Sequence, residues 1–148
     1  MIKARYGLTV QPDFSFSTAP NFDILIVPGG YGAEEIELYN ETVLRWLRNQ
    51  RAKTGLVASV CTGAFLLAKA GLLDGKKATT HWIDIDRLED EFPNLNVQRN
   101  IKYVDEDSII TAGGISAGIN MSFHIVSKLL GTQVAQATAK RMEYDLTL

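Results

Sequence analysis

Short apolar runs alternate with amphipathic stretches along this chain, and the fold class they predict is α/β, with a mostly parallel sheet covered by helices on both faces. Two observations carry that prediction. Asp23 to Val27 (DILIV) and Gly55 to Val60 (GLVASV) are almost continuously apolar rather than alternating, the pattern of strands buried on both sides. Each runs into a turn of small residues, Pro28-Gly29-Gly30 and Cys61-Thr62-Gly63, and a helical pattern follows each turn.

The remaining elements can be read in order. From Glu34 to Ala52, Ile36, Val43, Leu44 and Leu47 recur at helical spacing, with an interruption expected between Asn40 and Thr42. Thr62 to Leu72 reads as a helix closed by Gly71 and an Asp74-Gly75 turn. Lys77 to Thr80 reads as a brief third strand, and Ile83 to Phe92 as an amphipathic helix stopped by Pro93. Val97 to Val104 has extended character, Asp105-Glu106-Asp107 a turn, and Ser108 to Thr111 another strand. The Gly113-Gly114 turn opens a helix through Leu130, and Thr132 to Tyr144 is the last helix. Tyr6 to Phe16, with a Pro12-Asp13 turn, reads as exposed extended chain. With no repeat, low-complexity tract or linker, residues 1–148 are expected to form one domain.

Composition narrows the function classes. At 46% hydrophobic and 22% charged residues the chain has the make-up of a soluble globular domain, long enough to bury a core without disulfides or a structural metal. A net charge of −2 gives no electrostatic reason to expect nucleic acid as a partner, and no segment is apolar enough to suggest a membrane span. The opening MIKARY lacks an apolar run behind its basic residues, so no secretory signal is expected. A single cysteine suits a reducing compartment, and the expected location is cytoplasmic. Two histidines and one cysteine, far apart, match no zinc spacing; no metal and no cofactor are expected.

That one cysteine, Cys61, sits where a strand meets a helix, with small residues at Ser59 and Gly63 and Ala64 next. Such spacing fits a nucleophile elbow, a turn so tight that its neighbours must be small and its central side chain projects above the sheet. A helix amino terminus beside the sulfur is expected to lower the thiol pKa and raise the thiolate fraction. The alternative reading is a buried structural cysteine behaving as a small hydrophobe. The carboxyl ends of parallel strands are where such sheets bind ligands, and Gly113-Gly114-Ile115-Ser116 falls at another such end.

From Ser59 to Trp82 (SVCTGAFLLAKAGLLDGKKATTHW) the chain resembles the ThiJ/PfpI superfamily, and DILIVPGGYG, FPNLNVQ, YVDEDSIITAGGISAGINMSFHIV and ATAKRMEYD match it in order and spacing. The resemblance implies a three-layer sandwich of the class I glutamine amidotransferase-like, flavodoxin-like type. Within the superfamily the chain is similar to isocyanide hydratases and to the ligand-sensing amino-terminal domains of AraC-type regulators. Those regulators continue into a helix-turn-helix pair, so a chain stopping at Leu148 is expected to side with the stand-alone enzymes.

The resemblance implies Cys61 as the nucleophile and the backbone N–H groups of Gly30 and Thr62 as an oxyanion-type pocket. Glycine at 29 and 30 is equally explained by turn geometry, and Thr62 by helix capping. His81 and Ser116 are further candidates for the pocket, with His81 read either as a proton relay or as a hydrogen-bonded structural residue, and His124 as a packed or solvated helix residue. Proteases and deglycases of the superfamily carry a histidine directly after the nucleophile, where this chain has Thr62, which speaks against amide hydrolysis. Superfamily members begin with a strand-helix unit that builds the sheet's centre and supplies an acid near the cysteine; this sequence enters after that unit, and no residue can be matched to the acid. The expectation is exposed sheet edge, covered by a second copy in a homodimer.

Three functions follow as expectations. The first is an isocyanide-hydratase-like enzyme acting on a small molecule through Cys61. The second is a non-catalytic ligand-sensing domain related to the AraC-type regulators. The third is a redox or stress-response protein in which Cys61 is oxidised.

Overall fold

The computed structural model describes residues 1–146, Arg5 by its backbone alone; Thr147 and Leu148, the end of the expected domain, lie outside the described residues. Its first element corrects the reading of the opening segment. Two short strands, β1 (Ile2–Lys3) and β2 (Thr9–Val10), pair antiparallel into an exposed hairpin that the extended reading of Tyr6 to Phe16 did not resolve. Strands this short show no readable periodicity. Phe16 ties the segment to the body: its ring packs on Trp46 at 4.8 Å and its carbonyl accepts the Trp46 indole N–H at 3.1 Å.

The main sheet then assembles from β3 (Ile24–Val27), β4 (Leu56–Val60), β7 (Tyr103–Asp105) and β8 (Ile109–Ala112), in the spatial order β3-β4-β8-β7. Three of the strands are parallel and β7 runs antiparallel at one edge. The two remaining strands, β5 (Lys77–Ala78) and β6 (Asn96–Val97), pair with each other in a separate parallel sheet, so the third strand read from the sequence exists but does not extend the main one. At the other edge, no strand pairs with the outer side of β3 among the described residues, and Ile26 is 48% exposed there.

Side-chain alternation along the buried strands creates three layers. Val57 and Ile109 join one apolar cluster with Leu44 and Leu47 of α1 (Glu41–Arg51), Phe65 and Leu67 of α2 (Gly63–Lys69), and Leu88 of α3 (Ile85–Glu91). Their neighbours Leu56, Ala58, Ile110 and Ala112 point the other way, onto Met121 and Ile125 of α4 (Ala117–Leu130). Beyond α4, α5 (Thr132–Arg141) packs Ala135 and Ala139 against Phe123, with Tyr144 stacked on that ring. The expected mostly parallel, helix-covered sheet is what forms. Among the described residues no helix is long and apolar enough to cross a membrane.

The expected break near Asn40 is also present, for a nameable reason. Gly32–Ile36 forms a π-helical turn, Glu37–Tyr39 a 3-10 turn, and Asn40 caps α1 by accepting the Thr42 N–H on its side-chain oxygen at 3.0 Å. The wide turn leads from the end of β3 past the end of β4, because the parallel register sets Val27 beside Ser59.

Candidate active site

Cys61 stands one residue past β4 with φ 57, a left-handed conformation that only a constrained turn holds in a non-glycine residue. The constraint is visible on both sides of the residue. Its N–H donates to the carbonyls of Ala112 and Gly113, each at 3.1 Å, and its own carbonyl accepts the Thr80 hydroxyl at 2.9 Å. Thr79 adds a further stitch to β8, its N–H donating to Thr111 Oγ1 at 2.9 Å. The elbow is therefore fastened to the sheet and to the segment after β5.

The smallness read from sequence has a physical counterpart. A Cβ at Gly63 would collide with the Val27 carbonyl oxygen, and one at Gly29 would lie 2.5 Å from the Thr62 nitrogen. Both glycines let the Pro28-Gly29-Gly30 turn press directly on the first turn of α2. Thr62 occupies the first cap position of that helix yet makes no side-chain cap there. Its hydroxyl turns instead to the neighbouring turn, accepting the Gly30 N–H at 2.8 Å. The expected Gly30 donor is thus engaged by Thr62 Oγ1 and reaches the sulfur only through that hydroxyl.

The thiol corrects a second expectation. Burial pushes the Cys61 pKa up, hydrogen bonding from the Thr62 N–H and hydroxyl pulls it down, and the charges of Asp84 and Glu34 push it up again. The upward influences win, so the thiol pKa lies above its ordinary value rather than below it, as the helix terminus suggested. Desolvation of the sulfur is the largest of these influences, and the two carboxylate charges add to it.

Those carboxyl groups are what the sequence reading missed. A cleft of ≈ 460 Å³ opens over the sulfur, lined by Cys61, Thr62 and the Pro28-Gly29-Gly30 turn, with Glu34, His81 and Asp84 in its wall and Tyr31, Ile83 and Ile115 also lining it. His81 lines the same cleft as Cys61. Its Nδ1 accepts the Ile83 N–H at 3.4 Å and lies 3.6 Å from Asp84 Oδ2. Glu34 arrives on the π-helical turn, four residues after Gly30; only that spacing past a strand-end turn hints at it in the sequence.

Ser116 is not brought to the cysteine. It lines an adjacent cleft of ≈ 730 Å³, together with Arg99, Asn100 and Lys102, that shares His81 and Ile115 with the first. His124 lies elsewhere, stacked on Tyr103 with Nε2 2.7 Å from Asp105 Oδ2. Among the described residues no three His, Cys, Asp or Glu side chains are grouped as metal ligands.

With this geometry in place, comparison with known proteins is informative. The DJ-1/PfpI family model matches residues 1–128. The isonitrile hydratase of Pseudomonas putida is 37% identical over 144 residues, 97% of this chain and 61% of that protein. The HTH-type transcriptional regulator CdhR of Pseudomonas aeruginosa is 31% identical over 134 residues, 90% of this chain and 39% of the regulator. Among solved structures, a ThiJ/PfpI family protein from Pseudomonas syringae superposes with a TM-score of 0.88 at 28% identity, covering 99% of this chain and 60% of that one. Drosophila melanogaster DJ-1beta gives 0.83 at 24% identity over 98% of this chain and 77% of its own, a likeness of fold alone. This chain spans less than two thirds of the hydratase and about two fifths of the regulator. It belongs to the DJ-1/PfpI family.

Proposed function

We propose that this DJ-1/PfpI domain is a cysteine-dependent hydratase that converts an isocyanide to an N-substituted formamide. The Cys61 sulfur attacks the terminal isocyanide carbon, which takes up a proton, and a thioimidate forms. Water then adds to that carbon, the carbon–sulfur bond breaks, and the formamide leaves with the thiol restored. The observation that supports this reading is Cys61 held at φ 57 in an open cleft, beside hydrogen bonding from Thr62 that favours negative charge on sulfur. The 37% identity to an isonitrile hydratase across nearly the whole chain agrees with it.

The test is direct. A simple alkyl isocyanide is incubated with the protein, and formamide is followed by mass spectrometry; turnover is expected from the native chain and not from Cys61→Ala. Absence of formamide with the native protein refutes the hydratase reading.

A second reading rests on the regulators that match 90% and 96% of this chain at 31% and 30% identity. In it the same cleft binds a small molecule without consuming it, and ligand-induced stabilisation without turnover is the distinguishing result. For either function we place the chain in the reducing cytoplasm, where a lone thiol stays reduced, and in a homodimer that covers the open edge of β3.

A further inference from the structure

Attack by a thiol on an isocyanide carbon moves one proton from sulfur to carbon, and the second half of the reaction takes further protons from water. A group in the cleft must hold them between bond-making steps. Glu34, His81 and Asp84 share the cleft with Cys61, and they are not equivalent. His81 Nδ1 and Asp84 face one another, and that nitrogen also takes the Ile83 N–H. Glu34 is fixed at one oxygen only: Oε2 accepts from Arg87 Nη1 at 3.4 Å, while Oε1 has no hydrogen-bond partner among the described residues.

The anchor behind Glu34 is Arg87, whose Nη1 also donates to Glu35 Oε1 at 3.5 Å. Arg87 Nε donates to Glu91 at 2.7 Å, and the guanidinium lies 4.8 Å from the ring of Phe65, a fully buried core residue. Glu34 also sits in the π-helical turn Gly32–Ile36, a backbone form found disproportionately at functional sites. One carboxylate oxygen held by Arg87 and one left open is the arrangement a proton carrier needs.

From this geometry we propose that Glu34 is the proton-exchange partner of Cys61, a role that rests on the hydratase reading for its substrate. As the sulfur–carbon bond forms, the Glu34 carboxylate takes the thiol proton and then delivers it to the carbon lone pair, leaving S–CH=N–R. In hydrolysis the carboxylate takes a proton from water as its oxygen bonds to that carbon and the C=N π pair moves to nitrogen. Glu34 passes this proton to nitrogen. Sulfur then leaves with its bonding pair, and the hydroxyl proton returns through Glu34 to sulfur, giving R–NH–CHO and the free thiol.

The electrostatics suit that exchange. Burial, followed by the Asp84 charge, raises the Glu34 pKa from its ordinary value, against the opposing pull of Arg87. At Cys61 the Glu34 charge is the smallest of the influences that raise the thiol, after burial and Asp84.

Two measurements on the intact chain test the proposal. Iodoacetamide alkylation of Cys61 is followed across pH in the native protein, in Glu34→Gln, which keeps an oxygen for Arg87, and in Glu34→Asp. The expected result is an alkylation profile shifted to lower pH in Glu34→Gln, because a negative charge near the sulfur is gone, with Glu34→Asp in between. Isocyanide hydration by Glu34→Gln is expected to fall by about 10²–10⁴-fold, with partial recovery in Glu34→Asp. A Glu34→Gln alkylation profile that superimposes on the native one overturns the proposal, as does undiminished hydration by that variant. Should the native chain hydrate no isocyanide while the alkylation shift is present, the hydratase reading falls and the Glu34–Cys61 proton pair stands.

Discussion

Replacing Gly29 by Ala tests how the site is built, because it adds one methyl where the turn after β3 presses on the turn after β4. The new Cβ would lie 2.5 Å from the Thr62 nitrogen, 2.7 Å from Thr62 Oγ1 and 2.9 Å from the Gly63 nitrogen. Two of those three atoms are backbone, so no side chain can swing away, and the turn and helix must part by roughly 1 Å to reach ordinary contact. Overpacking of this kind costs about 1–3 kcal/mol. A stiffer unfolded chain offsets about 0.4–1 kcal/mol of that. The net expectation is a loss near 1–2 kcal/mol, or roughly 2–8 °C in melting temperature for a chain of this length. The same movement draws Thr62 away from Gly30 and from the sulfur, so Cys61 alkylation should shift to higher pH. Thermal melts and alkylation profiles are measured beside Gly32→Ala, where a Cβ meets nothing within 4 Å. A Gly29→Ala protein that melts at or above the native temperature with an unchanged alkylation profile refutes the close-approach argument.

Other outcomes can be stated more briefly. Ile115 is a β-branched residue at φ 43 and is 82% exposed, so its strain is not offset by burial; Ile115→Asn should raise stability by about 1 kcal/mol, read from urea midpoints. Burial pushes the Asp105 carboxyl up, but hydrogen bonds from His124, Lys128 and the Asp107 N–H outweigh it and hold the pKa below the usual range. A depressed folded pKa contributes stability that is present above the unfolded value of about 3.9 and is lost as pH falls through the folded one. Asp105→Asn should therefore be less stable than the native chain at pH 7, with the difference shrinking below pH 4. If the open edge of β3 is covered by a second copy, the melting temperature should rise with protein concentration; a concentration-independent melt of a monomer by light scattering rules the dimer out.

Much of the fold was legible because buried parallel strands announce themselves. DILIV and GLVASV became β3 and β4 nearly to the residue, whereas the interruption read at Asn40 to Thr42 in a helix from Glu34 is the cap at which α1 begins. Cys61 was legible for the same kind of reason: the crowding of an elbow is written in Ser59 and Gly63. Glu34 was not, since one acidic residue in a run of charged helix looks like any other until the register of β3 on β4 sets its turn over the sulfur. The direction of the thiol pKa was misjudged because the helix terminus is a local, readable feature, whereas desolvation and the Asp84 and Glu34 charges are properties of the assembled cleft. Ser116 follows a strand-end turn as Thr62 does, but its turn borders the next cleft.

The clamped elbow has a consequence for how this scaffold could acquire new substrates. The floor of the cleft resists editing: a side chain at Gly29 or Gly63 forces the backbone apart, and the Cys61 backbone is bound to β8 and to Thr80. Tyr31, Ile83 and Ile115, which also line the cleft, are 63%, 65% and 82% exposed and are not among the buried core residues. On the proposed hydratase reading, chemistry and selectivity fall to separable sets of positions, so a library confined to those three sites is expected to vary substrate size and polarity while the sulfur stays where it is.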